Sequence, residues 1–260
     1  MHKFSSCDGC QLALLNAGED LLTLSGLVDI AHFAEAGPVD PEAKVEIALV
    51  EGSIATPEDL ERIRRIRANS KFLITIGACA TAGGVQALRN LVDGQAWINA
   101  VYASPQYVSS LATSTPIAGH VKVDLELWGC PVNTRQVLAA VRALLFGVAP
   151  AVHRDSVCME CKRAGNVCVL VAKGIACMGP VTQTGCGALC PSFGRDCYGC
   201  YGPAENINTT ALARRFTGLG LMPEAVARRF LTINTAAPAF VQAAQQARGK
   251  PFMPPGGGRV

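Results

Sequence analysis

The chain has 260 residues, of which 50% are apolar and 17% charged, and its net charge is +3. That balance excludes an intrinsically disordered chain, and no basic run longer than the Arg64-Arg65, Arg214-Arg215 and Arg228-Arg229 pairs offers the clustered stripe of a nucleic-acid binder. No apolar leader precedes Cys7 and no stretch is long enough to span a bilayer, so the expected compartment is the cytoplasm; thiols stay reduced there, and twelve cysteines need another explanation than disulfides.

At roughly 150 residues per domain, this length predicts one large or two modest domains. Residues 2–5 read as a short first strand leading into Cys7-x2-Cys10. Residues 44–50 (KVEIALV), 72–76 (FLITI) and 121–128 (VKVDLELW) are rich in β-branched and aliphatic side chains and predict strands. Between the first two of these, Thr56 is placed to cap a helix, with Pro57 at its first position and Glu58 and Asp59 at the positive end of its dipole. After the strand at 121–128, Asn133 or Thr134 caps a helix whose Val137, Val141, Leu144 and Leu145 recur at helical spacing. Strands alternating with helices predict an α/β domain with a parallel sheet over residues 1–150.

The pattern changes beyond Pro150. Residues 158–203 carry eight cysteines and eight glycines with little periodicity, so something other than regular secondary structure must order them. Residues 211–232 return to short helical patterns, and the Pro/Gly-rich residues 251–260 predict a loose tail. The second domain, an irregular cysteine-rich one, is therefore expected over residues 151–260.

Cys79 and Cys130 each fall two or three residues beyond a predicted strand, and Glu51-Gly52-Ser53 holds the same place after another. Ligands of open α/β sheets sit outside the carboxyl ends of the strands, so Cys7, Cys10, Cys79 and Cys130 are expected to meet at one rim. Four thiolates suit zinc or an iron–sulfur cubane, and spacing alone does not choose. Gly77, Gly83, Gly84 and Gly129 let backbone approach and offer N–H groups to anionic sulfides, which favours a cluster. Downstream, Cys158-x2-Cys161-x6-Cys168-x8-Cys177 and Cys186-x3-Cys190-x6-Cys197-x2-Cys200 divide in sequence order into two further sets of four. Three all-cysteine sites without a histidine in the pattern fit an electron path better than three structural zinc sites of an interaction protein.

These residues resemble a known family, the small subunits of nickel–iron hydrogenases, along nearly the whole chain. The motifs are Cys7-Asp8-Gly9-Cys10, Val50-Glu51-Gly52-Ser53-Ile54, Gly77-Ala78-Cys79-Ala80-Thr81-Ala82-Gly83-Gly84, Gly129-Cys130-Pro131 and Cys177-Met178-Gly179-Pro180-Val181-Thr182. The resemblance implies a flavodoxin-like first half with the proximal 4Fe-4S cluster on Cys7, Cys10, Cys79 and Cys130, nearest a nickel–iron centre held by a separate large subunit. It implies a distal cluster on Cys158, Cys161, Cys168 and Cys177 and a medial one on Cys186, Cys190, Cys197 and Cys200. Such a chain passes single electrons between hydrogen chemistry and a flavin- and NAD(P)-binding, iron–sulfur partner.

Three departures from membrane-bound and periplasmic members are informative. Cys158-x2-Cys161 stands where those have H-x2-C, Cys190 stands where they have proline and a 3Fe-4S cluster, and no export signal is present. These features are similar to the cytoplasmic group 3 enzymes, and the run from Cys158 to Cys168 to their NADP-linked, sulfhydrogenase-type subgroup; small subunits of deazaflavin- or heterodisulfide-linked hydrogenases are the alternative. Family members also carry a longer first strand than the six residues before Cys7. Glu51 occupies the position of a family glutamate near the proximal site, with a positioning or proton-relay role. His2, His32, His120 and His153 lack ligand spacing and are expected to be ordinary residues, and Trp128 to be packing.

Overall fold

The computed structural model describes residues 1–249; the expected loose tail at 251–260 lies outside the described residues. Strands β1 (His2–Lys3), β2 (Val45–Glu51), β3 (Ser70–Ile76) and β4 (Leu125–Leu127) form one parallel sheet in that order. The α/β layering is the expected one, and among the described residues the strands lie in plain sequence order.

Side chains alternate across the sheet because successive residues of a strand point to opposite faces. Ala48, Val50 and Leu73 pack with Ile63 and Ile66 of helix α3 (Pro57–Ala68) on one face. Ile74, Ile76 and Leu127 pack on the other with Leu14 of α1 (Gly9–Leu15) and Val137 of α6 (Thr134–Leu145). Helix α2 (Glu19–Ser25) joins that second face through Leu24 against Leu138 and Val141. Helices α4 (Gly77–Ala82) and α5 (Gly94–Val101) lie between β3 and β4 in the chain.

The short β1 is held as an edge strand, His2 opposite Val50 and Lys3 opposite Glu51, with Phe4 N–H donating to the Glu51 carbonyl at 2.8 Å. Cys7 thus follows directly on a segment paired to β2. The expected strand over 121–128 is shorter in the structure. Its entry is replaced by a side-chain clamp: Asp124 accepts from the Leu73 N–H at 2.8 Å and from Arg67 at 2.5 Å, so ladder pairing starts only at Leu125. The residues 77–82, predicted only as a loop rim, form α4.

Beyond residue 150 the chain runs through three short helices, α7 (Val157–Arg163), α8 (Val169–Ala172) and α9 (Leu189–Ser192), linked by glycine-rich turns. They rest on α10 (Thr209–Gly218), α11 (Pro223–Leu231) and α12 (Pro238–Arg248), which begin with the Asn208 cap, Pro223 and Pro238 respectively. Phe216, Phe230 and Phe240 centre this core, which also takes in Cys177, Met178 and Cys197. Among the described residues no helix is long and apolar enough to cross a membrane.

Candidate metal centres

Three strand ends, those of β1, β3 and β4, lead to the first set of cysteines, and the end of β2 carries Glu51. Asp8, in the left-handed region at φ 64°, turns the chain from β1 into α1 so that Cys7 lies just before the helix and Cys10 in its first turn. Glu51, at the end of β2 and almost fully buried, accepts from the Cys10 N–H at 3.2 Å and the Gln11 N–H at 3.1 Å. One carboxylate thus satisfies two of the orphan donors at the start of α1, where negative charge is also favoured by the dipole. Burial pushes the Glu51 carboxyl above its usual range, and these two hydrogen bonds offset part of that rise.

Cys79 rides on α4 three residues past β3, and Cys130 lies three past β4; the two exits are tied by the Ala78 N–H donating to the Gly129 carbonyl at 2.7 Å. Glycine is needed where backbone meets sulfur. A methyl at Gly77 (φ +84°) would run into the Cys10 sulfur, and one at Gly84 (φ +60°) would lie 2.5 Å from the Cys79 sulfur. The thiols face one another: Cys10 feels Cys79 and Cys130, and Cys79 feels Cys130 and Cys7. Burial pushes Cys10 and Cys79 each up to about 12 and raises Cys130 as well. Cys7 and Cys130 are exposed, so this set opens to the surface on their side.

Cys158, Cys161, Cys168 and Cys177 line one small cavity with Val157, Val169, Pro180 and Pro191. Burial pushes Cys158 up to about 11, with the three other thiols of this set adding to the rise. Cys168, at the start of α8, is the exposed member. Val167 and Val171, close to it in the chain, are exposed apolar side chains.

Cys186, Cys190 and Cys200, three members of the third set, are each partly buried. Cys200, pushed up to about 12 by burial, feels Cys186, Cys130 and Cys190. Cys197 is buried and stands between the two downstream sets: its N–H donates to the Cys177 sulfur at 3.2 Å, while its thiol, raised by burial, feels both Cys177 and Cys200. Further N–H groups reach sulfur from Val132 to Cys10 at 3.4 Å and from Gly199 to Cys197 at 3.4 Å.

The donor set, the glycines against sulfur and the N–H groups aimed at it fit iron–sulfur clusters, whose potentials such hydrogen bonds tune. Buried thiols with raised pKa values become thiolates readily only with compensating positive charge, which bound iron supplies. No three His, Cys, Asp or Glu side chains among the described residues close on a single-ion site.

Comparison with known proteins agrees with this geometry. Residues 7–144 match the family described as NADH ubiquinone oxidoreductase, 20 Kd subunit. Sulfhydrogenase 2 subunit delta of Pyrococcus furiosus is 35% identical, with 88% of this chain and 96% of that one covered. A subunit of the F420-non-reducing hydrogenase of Methanocaldococcus jannaschii is 31% identical over 79% of this chain and 81% of its own. This chain belongs to the nickel–iron hydrogenase small subunits. Among solved structures, a chain of an NAD+-reducing [NiFe]-hydrogenase in the H2-reduced state matches at a TM-score of 0.52 and 26% identity, covering 58% of this chain and 91% of that one.

As a member of that family the chain is an oxidoreductase subunit that carries electrons by iron–sulfur chemistry. The histidines contact other parts of the fold: His2 stacks on His32 with ring centroids 4.6 Å apart, and His120 bonds Thr115 at 2.7 Å. Trp128 packs on Gly202, where a methyl would collide with its ring, and donates to Glu126 at 3.2 Å. Two residues near sulfur were missed from the sequence. The Glu160 carboxylate reaches the Cys186 loop, and the Tyr201 ring packs against Gly129 and Gly185 between the first and third sets. The position of Glu160 inside Cys158-x2-Cys161 was the one available signal.

Proposed function

We propose that this chain is a three-cluster electron relay of a hydrogen:NAD(P) oxidoreductase. Cys7, Cys10, Cys79 and Cys130 would hold a proximal 4Fe-4S cluster, Cys186, Cys190, Cys197 and Cys200 a medial one, and Cys158, Cys161, Cys168 and Cys177 a distal one. Each cluster, when bound, takes up and gives back one electron; the chain's own residues supply thiolates, exclude water and direct N–H groups to sulfur. The division into residues 1–150 and 151–260 is part of the same reading, as is a cytoplasmic location.

The observation that carries it is a line of contacts joining the three sets: Tyr201, next to Cys200, packs on Gly129 and Gly185, the neighbours of Cys130 and Cys186, and the Cys197 N–H donates to the Cys177 sulfur at 3.2 Å. The two ends of this line reach the surface. The exposed Cys7 and Cys130 suit the large subunit with the nickel–iron site, and the exposed Cys168, with the exposed Val167 and Val171 close to it in the chain, suits a flavin- and NAD(P)-binding partner with its own clusters. The similarity to a subunit of an NAD+-reducing hydrogenase favours the nicotinamide couple. The likeness to a subunit of an F420-non-reducing hydrogenase sustains a second reading, delivery to another acceptor such as a heterodisulfide.

Anaerobic purification with native partners tests all of this. About twelve iron and twelve acid-labile sulfides per chain are expected for three cubanes, and about three zinc would replace the relay by an interaction protein. Hydrogen-dependent reduction of NADP+ by the recovered complex is expected; reduction of another acceptor alone selects the second reading.

A further inference from the structure

A carboxylate crosses from one downstream cysteine set to the other. Glu160 lies on α7 between Cys158 and Cys161, yet its side chain turns away from them. Its two oxygens accept from the Gly185 N–H at 2.9 Å and from the Ala188 N–H at 3.2 Å, so they bracket Cys186. The loop it grips has an unusual backbone: Gly185, Gly187 and Ala188 all have positive φ, and Ala188, at φ 53°, is a buried non-glycine residue in that region. Such a conformation persists only where surrounding contacts hold it. The carbonyl of the same Gly185 is bonded at 2.5 Å by Asn133, the residue that caps α6 just after Cys130. One peptide segment is therefore pinned from the first set by Asn133 and from the second by Glu160.

Resting on the relay proposed above, we infer that Glu160 is a positioning residue that seats the Cys186 loop and, through its negative charge, holds the medial centre at a lower reduction potential than a neutral side chain would. Two physical effects carry this. Two charge-assisted hydrogen bonds accepted by a half-buried carboxylate stabilise a strained loop on either side of Cys186. A fixed negative charge beside a four-thiolate cluster disfavours adding a further electron to it. The two N–H groups that hold the Glu160 carboxylate flank Cys186, so its charge is held beside the medial set.

The test is a redox titration of the assembled complex followed by electron paramagnetic resonance, in the wild type, Glu160→Gln and Glu160→Asp. Glu160→Gln keeps an acceptor and the size of the side chain but removes the charge. It should raise the medial potential so that the reduced-to-oxidised ratio at fixed ambient potential rises about tenfold, about 59 mV for one electron, while the other two centres stay in place. Glu160→Asp keeps the charge but shortens the reach. It should hold the medial potential near the wild-type value and lose that centre faster to an iron chelator. An unmoved medial potential in Glu160→Gln, or equal shifts in all three centres, overturns the electrostatic role. Chelator loss from Glu160→Asp at the wild-type rate overturns the positioning role. If Glu160→Gln cannot retain the medial centre while Glu160→Asp does, the charge requirement is read from cluster content instead. A wild-type chain without three clusters would overturn the relay itself, an outcome separate from these.

Discussion

Burial and coordination act on the same thiols in opposite directions. Without metal, Cys10 and Cys79 are pushed up to about 12 and would stay neutral at ordinary pH; as ligands they must be thiolates, so loading a cluster releases protons. Neighbouring residues manage the resulting negative charge through backbone N–H groups, such as that of Cys197 on the Cys177 sulfur. In the proposed relay, Cys190 is the residue whose chemistry most directly sets the type of the medial centre. It lies in the first turn of α9, where proline is tolerated because its missing N–H has no helical partner to lose. Cys190→Pro should therefore fold, leave Cys186, Cys197 and Cys200 as three ligands, and give a 3Fe-4S centre of higher potential. Electron paramagnetic resonance of the oxidised variant checks this. No three-iron signal and an unchanged potential would remove Cys190 from the medial set.

At the scale of elements, the helices that frame the rim begin where local side-chain chemistry tells them to. Thr56 accepts from the Asp59 N–H at 3.2 Å while Asp59 accepts from the Thr56 N–H at 3.0 Å, a reciprocal capping box at the start of α3. Thr56→Ala should cost about 1 kcal/mol, seen as a lower urea midpoint with an unchanged slope. Because α3 packs on the sheet face opposite α1, iron content should be unaffected; loss of iron in that variant would show that α3 supports the rim more directly. Caps of this kind, and the similar one at Asn133, were legible because they are local. Helix α4 was not: Gly77-Ala78-Cys79-Ala80-Thr81-Ala82 has no amphipathic period, and it is buried on nearly every side between β2, β3 and the 115–119 segment. The short β4 was misread for a related reason, since a distant Asp124–Arg67 clamp, not local propensity, decides where the ladder begins.

Across the whole molecule, the cysteine-rich loops have little regular structure of their own and lean on the three-helix core beneath them. Phe230 is buried between Phe216 and Phe240, with ring centroids 6.4 Å and 5.8 Å away, in the same core as Cys177 and Cys197. Phe230→Ala should destabilise by about 3–5 kcal/mol. A chelator should then strip the medial and distal centres well before the proximal one, whose ligands hang on the sheet. Equal loss of all three would mean that the two halves open together. They are joined closely enough to make that a real alternative outcome: the Ala236 N–H donates to the Ala82 carbonyl at 2.9 Å, and Thr235 bonds the Gly84 carbonyl at 3.3 Å beside Cys79.

The sequence by itself determined the parallel α/β layers, the caps of α3 and α6, and membership of the hydrogenase family. Each of these rests on periodicity or on motifs whose parts lie close together in the chain. Only the tertiary structure decided that Glu51 caps α1, that Cys197 stands between two sets, and that Glu160 belongs to the loop of Cys186 rather than to its own pair. Those contacts join residues 25 to 41 positions apart, or place one thiol between two neighbours. Spacing along the chain cannot report them, because a glycine-rich backbone with so many positive-φ turns takes its path from what it packs against.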